Sequence, residues 1–306
     1  MRTLTRAGVI ALATGTVVLG GTAAVQAAPA GVVSVSVNRL VLEPGTSGHT
    51  GTVRVVIKNR TSEPWSGAVA VTEPIAGTFV EAAGTSGCTG DVTADNRQIA
   101  YCYLDHDIAP GAKDVVTVSF RSPAEPQAYP QVAPAAGRVE VAGAAADFPA
   151  LFRSTTGSLR NPRPYAQDTA SALTVTAGTV TLTRQADGSF AGQVPVTVRN
   201  DGDAPHSGLL AELVAPAGVD GAYLADSGPC IGANVLPVPQ GGYGVGCSQS
   251  GQLDEGQSRT FDWTLTAPAG TPAGPLGDAA TLVQLEGGPA QTGGANIAGF
   301  AVTVAG

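Results

Sequence analysis

Lysine is almost missing from this chain. Of 306 residues only Lys58 and Lys113 are lysine, and every other basic residue is arginine. No run of basic residues occurs, and the formal net charge is −8. Phosphate backbones are held by clustered Lys and Arg, so the composition argues against nucleic acid as a partner. Aromatic residues make up 5% and charged residues 13%, while Gly and Pro number 41 and 22. Gly and Pro cost about 1 and 3 kcal/mol in a helix interior, so long helices are disfavoured. Short strands joined by Gly/Pro turns fit the same balance. After the N-terminal region no apolar run approaches the roughly 20 residues of a membrane span. The rest is ordinary: 43% hydrophobic residues are enough to build cores.

The N-terminus reads MRTLTRAGVIALATGTVVLGGTAAVQAAPAG. Arg2 and Arg6 precede an apolar stretch, Ala7 to Gly21, and Val25-Gln26-Ala27 fits a small-x-Ala cleavage site. Residues 1–27 are therefore expected to be a secretory signal peptide. Export would place the four cysteines where disulfides persist.

Those cysteines fall in two similar stretches, SGCTGDVTADNRQIAYC at Ser86 and SGPCIGANVLPVPQGGYGVGC at Ser227. Four cysteines allow three pairings. The duplication selects Cys88 with Cys102 and Cys230 with Cys247. Tight Cys-x-x-Cys knuckles of a zinc site are absent. Closing a loop of about 15 residues stabilises by roughly 3 kcal/mol in the chain-entropy view.

The duplication extends beyond the cysteines. GTVRVVIKNR at Gly51 answers GQVPVTVRND at Gly192, each with an apolar residue at every second position. Period two with one apolar face is a half-buried strand. Both strands end in a basic residue and Asn, Lys58-Asn59 and Arg199-Asn200, followed by Ser66-Gly67 and Ser207-Gly208. Nine residues past the second Cys each copy has a Gly, Gly111 and Gly256. The strands that follow align Val116, Val118 and Phe120 with Phe261, Trp263 and Leu265. The segments VVSVSVNRLVL and ALTVTAGTVTLT precede the copies as expected first strands, and Asp187-Gly188 marks a hairpin turn. Final strands are expected at RVEV (Arg138) and TLVQL (Thr281). Strand signals every 8–12 residues or so predict an all-β chain of two tandem antiparallel Ig-like β-sandwiches. The expected boundaries are 28–152 for the first, 153–172 for an aperiodic linker, and 173–306 for the second.

These motifs resemble the bacterial cell-surface Ig-like "conserved repeat" family. NRTSEPWSG, the first Cys loop and APGAKDVVTVSF carry the resemblance in copy one; NDGDAPHSG, APAGVDG and GVGCSQSGQLDEGQSRTFDWTLT carry it in copy two. The match covers roughly residues 50–125 and 190–270, about half the chain. The loop from Cys230 to Cys247 is longer than its counterpart, and copy one lacks a clear Pro-Ala-Gly. The residue usage is similar to that of actinobacterial secreted proteins. The resemblance implies an extracellular, non-catalytic spacer or interaction module.

Few residues suggest chemistry. Asp105, His106 and Asp107 cluster before Pro110-Gly111; the expectation is a solvated turn, with a cation or acid/base site as the alternative. Asn200, Asp201 and Asp203 supply oxygens at calcium-loop intervals, but six or more are needed and no Glu closes the loop. No metal or other cofactor is assigned. Nucleophile elbows and phosphate loops are absent, so the expectation is a non-enzyme. Trp65 and His206 occupy matching loop positions after Pro64 and Pro205 and are the candidate binding residues for a glycan or a cell-surface protein; for Trp65 the favoured expectation is a ring folded back over the end of the sandwich as a satellite of the core. Tyr101 and Tyr103 share one strand face. The leading expectation is a secreted or wall-associated structural or interaction protein. A carbohydrate-binding protein using loop aromatics is the alternative, and a secreted hydrolase would require the Asp105 cluster to meet a distant carboxylate.

Overall fold

A computed structural model describes residues 32–291 and 294–306. The expected signal peptide lies outside the described residues. The described residues form one compact unit, and their regular elements are all strands. The first half contributes β1 (Val33–Val37), β2 (Leu40–Pro44), β3 (His49–Asn59), β4 (Ala68–Thr72), β5 (Phe79–Ala83), β6 (Thr85–Val92), β7 (Gln98–Leu104), β8 (Lys113–Ser122), β9 (Gln131–Val132), β10 (Gly137–Val141), β11 (Ala144–Phe148), β12 (Ala150–Phe152) and β13 (Arg163–Pro164). The second half contributes β14 (Leu173–Ala177), β15 (Val180–Arg184), β16 (Phe190–Asn200), β17 (Gly208–Ala215), β18 (Gly221–Leu224), β19 (Cys230–Ile231), β20 (Tyr243–Ser250), β21 (Ser258–Ala267), β22 (Gly274–Glu286) and β23 (Ile297–Val304).

The first sandwich stacks an eight-stranded sheet, ordered β13-β9-β12-β2-β3-β8-β5 with β1 also on β3, against a five-stranded sheet, β11-β10-β4-β7-β6. In the second, one ten-stranded sheet wraps round, β18-β21-β16-β15-β23-β22-β17-β20-β19 with β14 on β16. Strand β15 closes its edge by pairing antiparallel with β16 and parallel with β23. The same device recurs in the first half, where β2 pairs antiparallel with β3 and parallel with β12. Each expected first strand is thus two strands, broken at Asn38-Arg39 and at Gly178-Thr179 so that the chain can pass from one partner to another.

Burial explains the alternation. Val53, Val55 and Ile57 are fully buried, as are Val194, Val196 and Val198. Phe120, Trp263 and Leu265 sit at the centres of two separate apolar clusters, one spanning Val33 to Tyr165 and the other Leu173 to Val304. At the start of each long strand a glycine is required by close approach. A Cβ on Gly51 would lie 2.3 Å from the Val41 carbonyl oxygen, and one on Gly192 2.6 Å from that of Thr181. The duplicated asparagines are buried corner pieces. Asn59 donates to the Glu63 and Ile108 carbonyls, both at 2.8 Å, and accepts from the Thr61 N–H at 2.9 Å. Asn200 donates to the Leu253 carbonyl at 2.7 Å and accepts from Gly202 at 3.3 Å. Ile108 and Leu253 each lie three residues before the matching glycines, Gly111 and Gly256. The duplicated Asn therefore ties the end of one long strand to the turn that starts the next.

The pairing Cys88–Cys102 and Cys230–Cys247 is present. Each disulfide joins directly opposed residues of neighbouring strands, β6 to β7 and β19 to β20. The hairpin at Asp187-Gly188 is also present, with Gln185 bonded to Ser189 and Gly188 at φ +86°. The aperiodic stretch 153–172 is more ordered than its sequence suggests. Its Arg163–Pro164 pairs with β9, and Tyr165 is buried in the first apolar cluster.

Candidate functional site at the junction of the two sandwiches

A groove of about 1370 Å³ opens where the two sandwiches meet. Arg121, Gln167, Asp168, His206 and Gln252 line it, and they belong to a set of polar side chains crossing from one half to the other. Asp254, buried in the turn before β21, accepts from Ser47 at 2.7 Å and from the Arg121 guanidinium at 2.5 Å. Gln252 accepts from Arg121 and donates at 2.8 Å to the carbonyls of both Gly77 and His206. Backbone bonds run alongside, from Glu255 N–H to the Pro123 carbonyl at 2.9 Å. On the other side Asp203 accepts from the Tyr165 hydroxyl and, at 2.8 Å, from the Asp168 N–H, while the Asp168 carboxylate accepts the Asp203 N–H at 3.1 Å. Gln167 donates to Ala76 at 2.9 Å. Gly77, at φ +72°, lies so close to Pro205 that a Cβ would sit 2.9 Å from the proline Cβ. Burial pushes the carboxyl of Asp203 up, and its hydrogen bonds from Tyr165 and Asp168 pull it back.

His206 belongs to this set. The sequence pairs it with Trp65 as a candidate binding residue, but it is 3% exposed and faces the junction. The Leu253 N–H donates to its Nε2 at 2.9 Å and its Nδ1 lies 2.8 Å from the Ala204 carbonyl. These bonds fix the neutral Nδ1–H tautomer. Burial holds its pKa below the ordinary histidine value, and neighbouring Arg121 and Arg259 act in the same direction. Trp65 does the equivalent work in copy one with its backbone, exchanging N–H and carbonyl with Ile108 at 3.0 and 2.8 Å. Its ring is half-buried against the first apolar cluster and covers Gly67, where a Cβ would meet it at 2.8 Å. The matched positions thus hold loops in place.

The remaining candidates do not assemble into a site. Asn200 is spent on the strand corner, Asp201 pairs with Arg199 at 2.5 Å, and Asp203 faces the junction, so the three do not present a common set of oxygens. Asp105 and His106 contact each other in an exposed turn, and the hydrogen bond that His106 donates to the Asp105 carboxylate raises its pKa. Asp114 lies 3.4 Å from the other ring nitrogen. Among the described residues no group of three His, Cys, Asp or Glu is placed to hold a metal ion, and no helix is long and apolar enough to cross a membrane.

Two buried acids escaped the sequence reading. Glu73 is fully buried at the end of β4, where it accepts four backbone N–H groups. One oxygen takes Gly77 and Gln98, both at 2.7 Å, and the other takes Thr78 and Phe79, both at 2.9 Å. Burial raises its pKa, and the four N–H groups oppose that. Glu212 in β17 holds Val235 and Leu236 of the long Cys loop at 3.0 and 2.8 Å. The available signal was an acid inside an apolar run, LLAELVA, which must be partnered if it is buried.

No family model matches the chain, and no curated protein matches it. Solved structures with detectable likeness include a serine-rich repeat protein from Streptococcus agalactiae, at 10% identity over 87% of this chain and 92% of that one, TM-score 0.24. A protein of unknown function from Porphyromonas gingivalis is 12% identical over 90% of this chain and 99% of that one, TM-score 0.19. A red sea bream transglutaminase is 11% identical over 89% of this chain but only 31% of its own length, TM-score 0.22. Likeness at this level assigns neither family nor activity.

Proposed function

We propose that this is an exported, non-catalytic structural or interaction protein whose two β-sandwiches act as one fixed body at the cell surface or in the medium. The observation that carries the reading is the junction. Arg121, Gln252, Asp254, Asp203 and His206 would be the natural material for a polar active site, and each is spent on a bond that joins or frames the two halves. The two disulfides support an oxidising compartment, and the N-terminal pattern supports export through a signal peptide cut after Ala27. The similarity to Ig-like conserved repeats fits a spacer role. The test is co-sedimentation of the mature chain with cell-wall and surface-protein fractions, run beside a panel of ester, glycoside and peptide substrates. Specific retention without turnover is expected. Turnover that is lost in Asp105→Ala or His106→Ala would establish the hydrolase instead.

One observation favours the carbohydrate-binding alternative. Tyr101 and Tyr103 are 37% and 51% exposed on the outer face of β7, spaced as a stacking platform for sugar rings. If that reading holds, Tyr101→Ala with Tyr103→Ala abolishes retention on wall polysaccharide and leaves the melting temperature in place.

A further inference from the structure

Strand β6 is an eight-residue strand at the edge of the five-stranded sheet, and among the described residues no strand neighbours its outer side. Which of its backbone groups face outward follows from the disulfide. Opposed residues of an antiparallel pair are about 5.5 Å apart where they exchange hydrogen bonds and about 4.5 Å where they do not. Cys88 and Cys102 are 4.0 Å apart at Cα, so they are a non-hydrogen-bonded pair. The other side of β7 agrees. Leu104 N–H bonds to the Gly67 carbonyl, so alternate residues of β7, including Cys102, turn their backbone groups toward β4. The same alternation reaches Thr93, whose N–H bonds to Arg97. Cys88, Gly90 and Val92 therefore direct their N–H and C=O groups away from the sheet. The Val92 N–H is taken by the Asp91 side chain at 2.8 Å; the others have no partner among the described residues.

Edge strands of this length are normally blunted by lysine, proline or a covering element. Between Cys88 and Val92 there is neither lysine nor proline. A bulge at Thr85 to Gly87 distorts only the start of the strand. Gly90, Asp91 and Val92 line the junction groove, with Gly288 and Pro289 of the second sandwich also in its lining. The groove is acidic. Among the described residues Asp91 and Asp168 have no ion-pair partner, Asp95 is held by Arg97, and the groove's guanidinium, Arg121, is bound to Asp254. In copy two the corresponding edge strand, β19, is only two residues long and runs into a longer loop held by Glu212. The open edge belongs to copy one.

We propose that the β6 edge is a docking site for an extended, lysine- or arginine-bearing segment of a partner protein, added as a sixth strand in the groove. Backbone bonds to Cys88 and Gly90 would supply affinity, as in other strand-addition complexes. Asp91 and Asp168 would select basic side chains. A second copy of this chain is the poorer occupant, because its own β6 carries Asp91 and its net charge of −8 meets the same acids. The proposal rests on the reading of the protein as an interaction module and names the chemistry of one partner.

The probe is a displayed pool of random peptides of about 12 residues, panned on the full mature chain. Enriched sequences should alternate β-branched with basic residues. On adding such a peptide, amide exchange at Cys88 and Gly90 should slow at least about tenfold. Gly90→Pro removes the outward N–H without touching the ladder to β7 and should weaken binding about tenfold or more. Gly90→Ala, which keeps the N–H and meets the flexible end of Gln98 at 3.4 Å and the Ile99 carbonyl oxygen at 4.0 Å, should bind within about twofold of the wild type. Asp91→Asn keeps the Val92 cap and should bind about threefold more weakly, with a shallower salt dependence. Enrichment that is equal on Gly90→Pro, or no protection at Cys88 and Gly90, overturns the proposal. A dimer of the chain alone that Gly90→Pro dissociates would place a second copy at the edge and overturn it too. None of these outcomes bears on turnover or wall retention, so failure here is distinct from failure of the function proposed above.

Discussion

Replacing Glu73 by Gln changes one atom of a buried side chain and removes no volume. By size alone it should be nearly silent. The hydrogen bonds say otherwise. Each carboxylate oxygen of Glu73 accepts two backbone N–H groups, four in all. An amide offers one acceptor oxygen and turns an NH2 group toward the other pair of donors. Two N–H groups then lose their acceptor in a site with no solvent access. An unsatisfied buried donor costs about 1–3 kcal/mol, so Glu73→Gln should lose roughly 2–6 kcal/mol, partly offset because the variant no longer buries a charge. With an m-value near 2–3 kcal/mol/M, a loss of about 3 kcal/mol lowers the urea midpoint by about 1 M. The assay is urea unfolding at pH 8, well above the ordinary carboxyl range, followed by far-UV circular dichroism. A loss below about 1 kcal/mol with an unchanged m-value would refute the reasoning. It would mean that the carboxyl carries a proton in the folded protein and that glutamine reproduces its pattern of one donor and one acceptor.

Acid should weaken the fold through two histidines. Burial lowers the pKa of both His49 and His206; the unfolded chain therefore takes up protons that the folded one refuses. Their contribution is complete above about pH 6.5 and is lost as pH falls through their lowered folded values. His206→Gln should flatten the stability profile between about pH 7.5 and 5.5 whatever it costs at neutrality; an unchanged slope would remove His206 from the account. Trp65→Ala should lower stability by about 2–4 kcal/mol, because the ring is half-buried over Gly67 and the first core; a neutral change that abolishes attachment to a partner would return it to the binding role. N-terminal sequencing of exported material should begin at or near Ala28, and intact Met1 would contradict the signal peptide.

Much of the architecture was legible because it is local. Alternation marked Val53 to Ile57 and Val194 to Val198 as core-facing, and the duplicated loops selected the disulfide pairing without a structure. The repeated Asn was visible as a pattern, though its reason, a bond to a carbonyl about 50 residues away, was not. What stayed hidden depends on the meeting of the two halves. His206 reads as a turn residue until Leu253 and Gly77 are brought beside it. Tyr165 reads as linker because a single buried residue has no periodicity. Asp203 looks like a cation ligand beside Asp201, and only the fold turns the two apart. Glu73 and Glu212 follow the same rule, since each is bonded to backbone groups of a loop whose course the sequence does not state.

The central claim is that the junction makes one rigid body of two sandwiches. Backbone N–H residual dipolar couplings of the intact chain test it without any substitution. Alignment tensors fitted separately to residues 33–165 and 173–304 should agree in magnitude, rhombicity and orientation. Tensors of clearly different magnitude would show the halves moving independently and would contradict the claim.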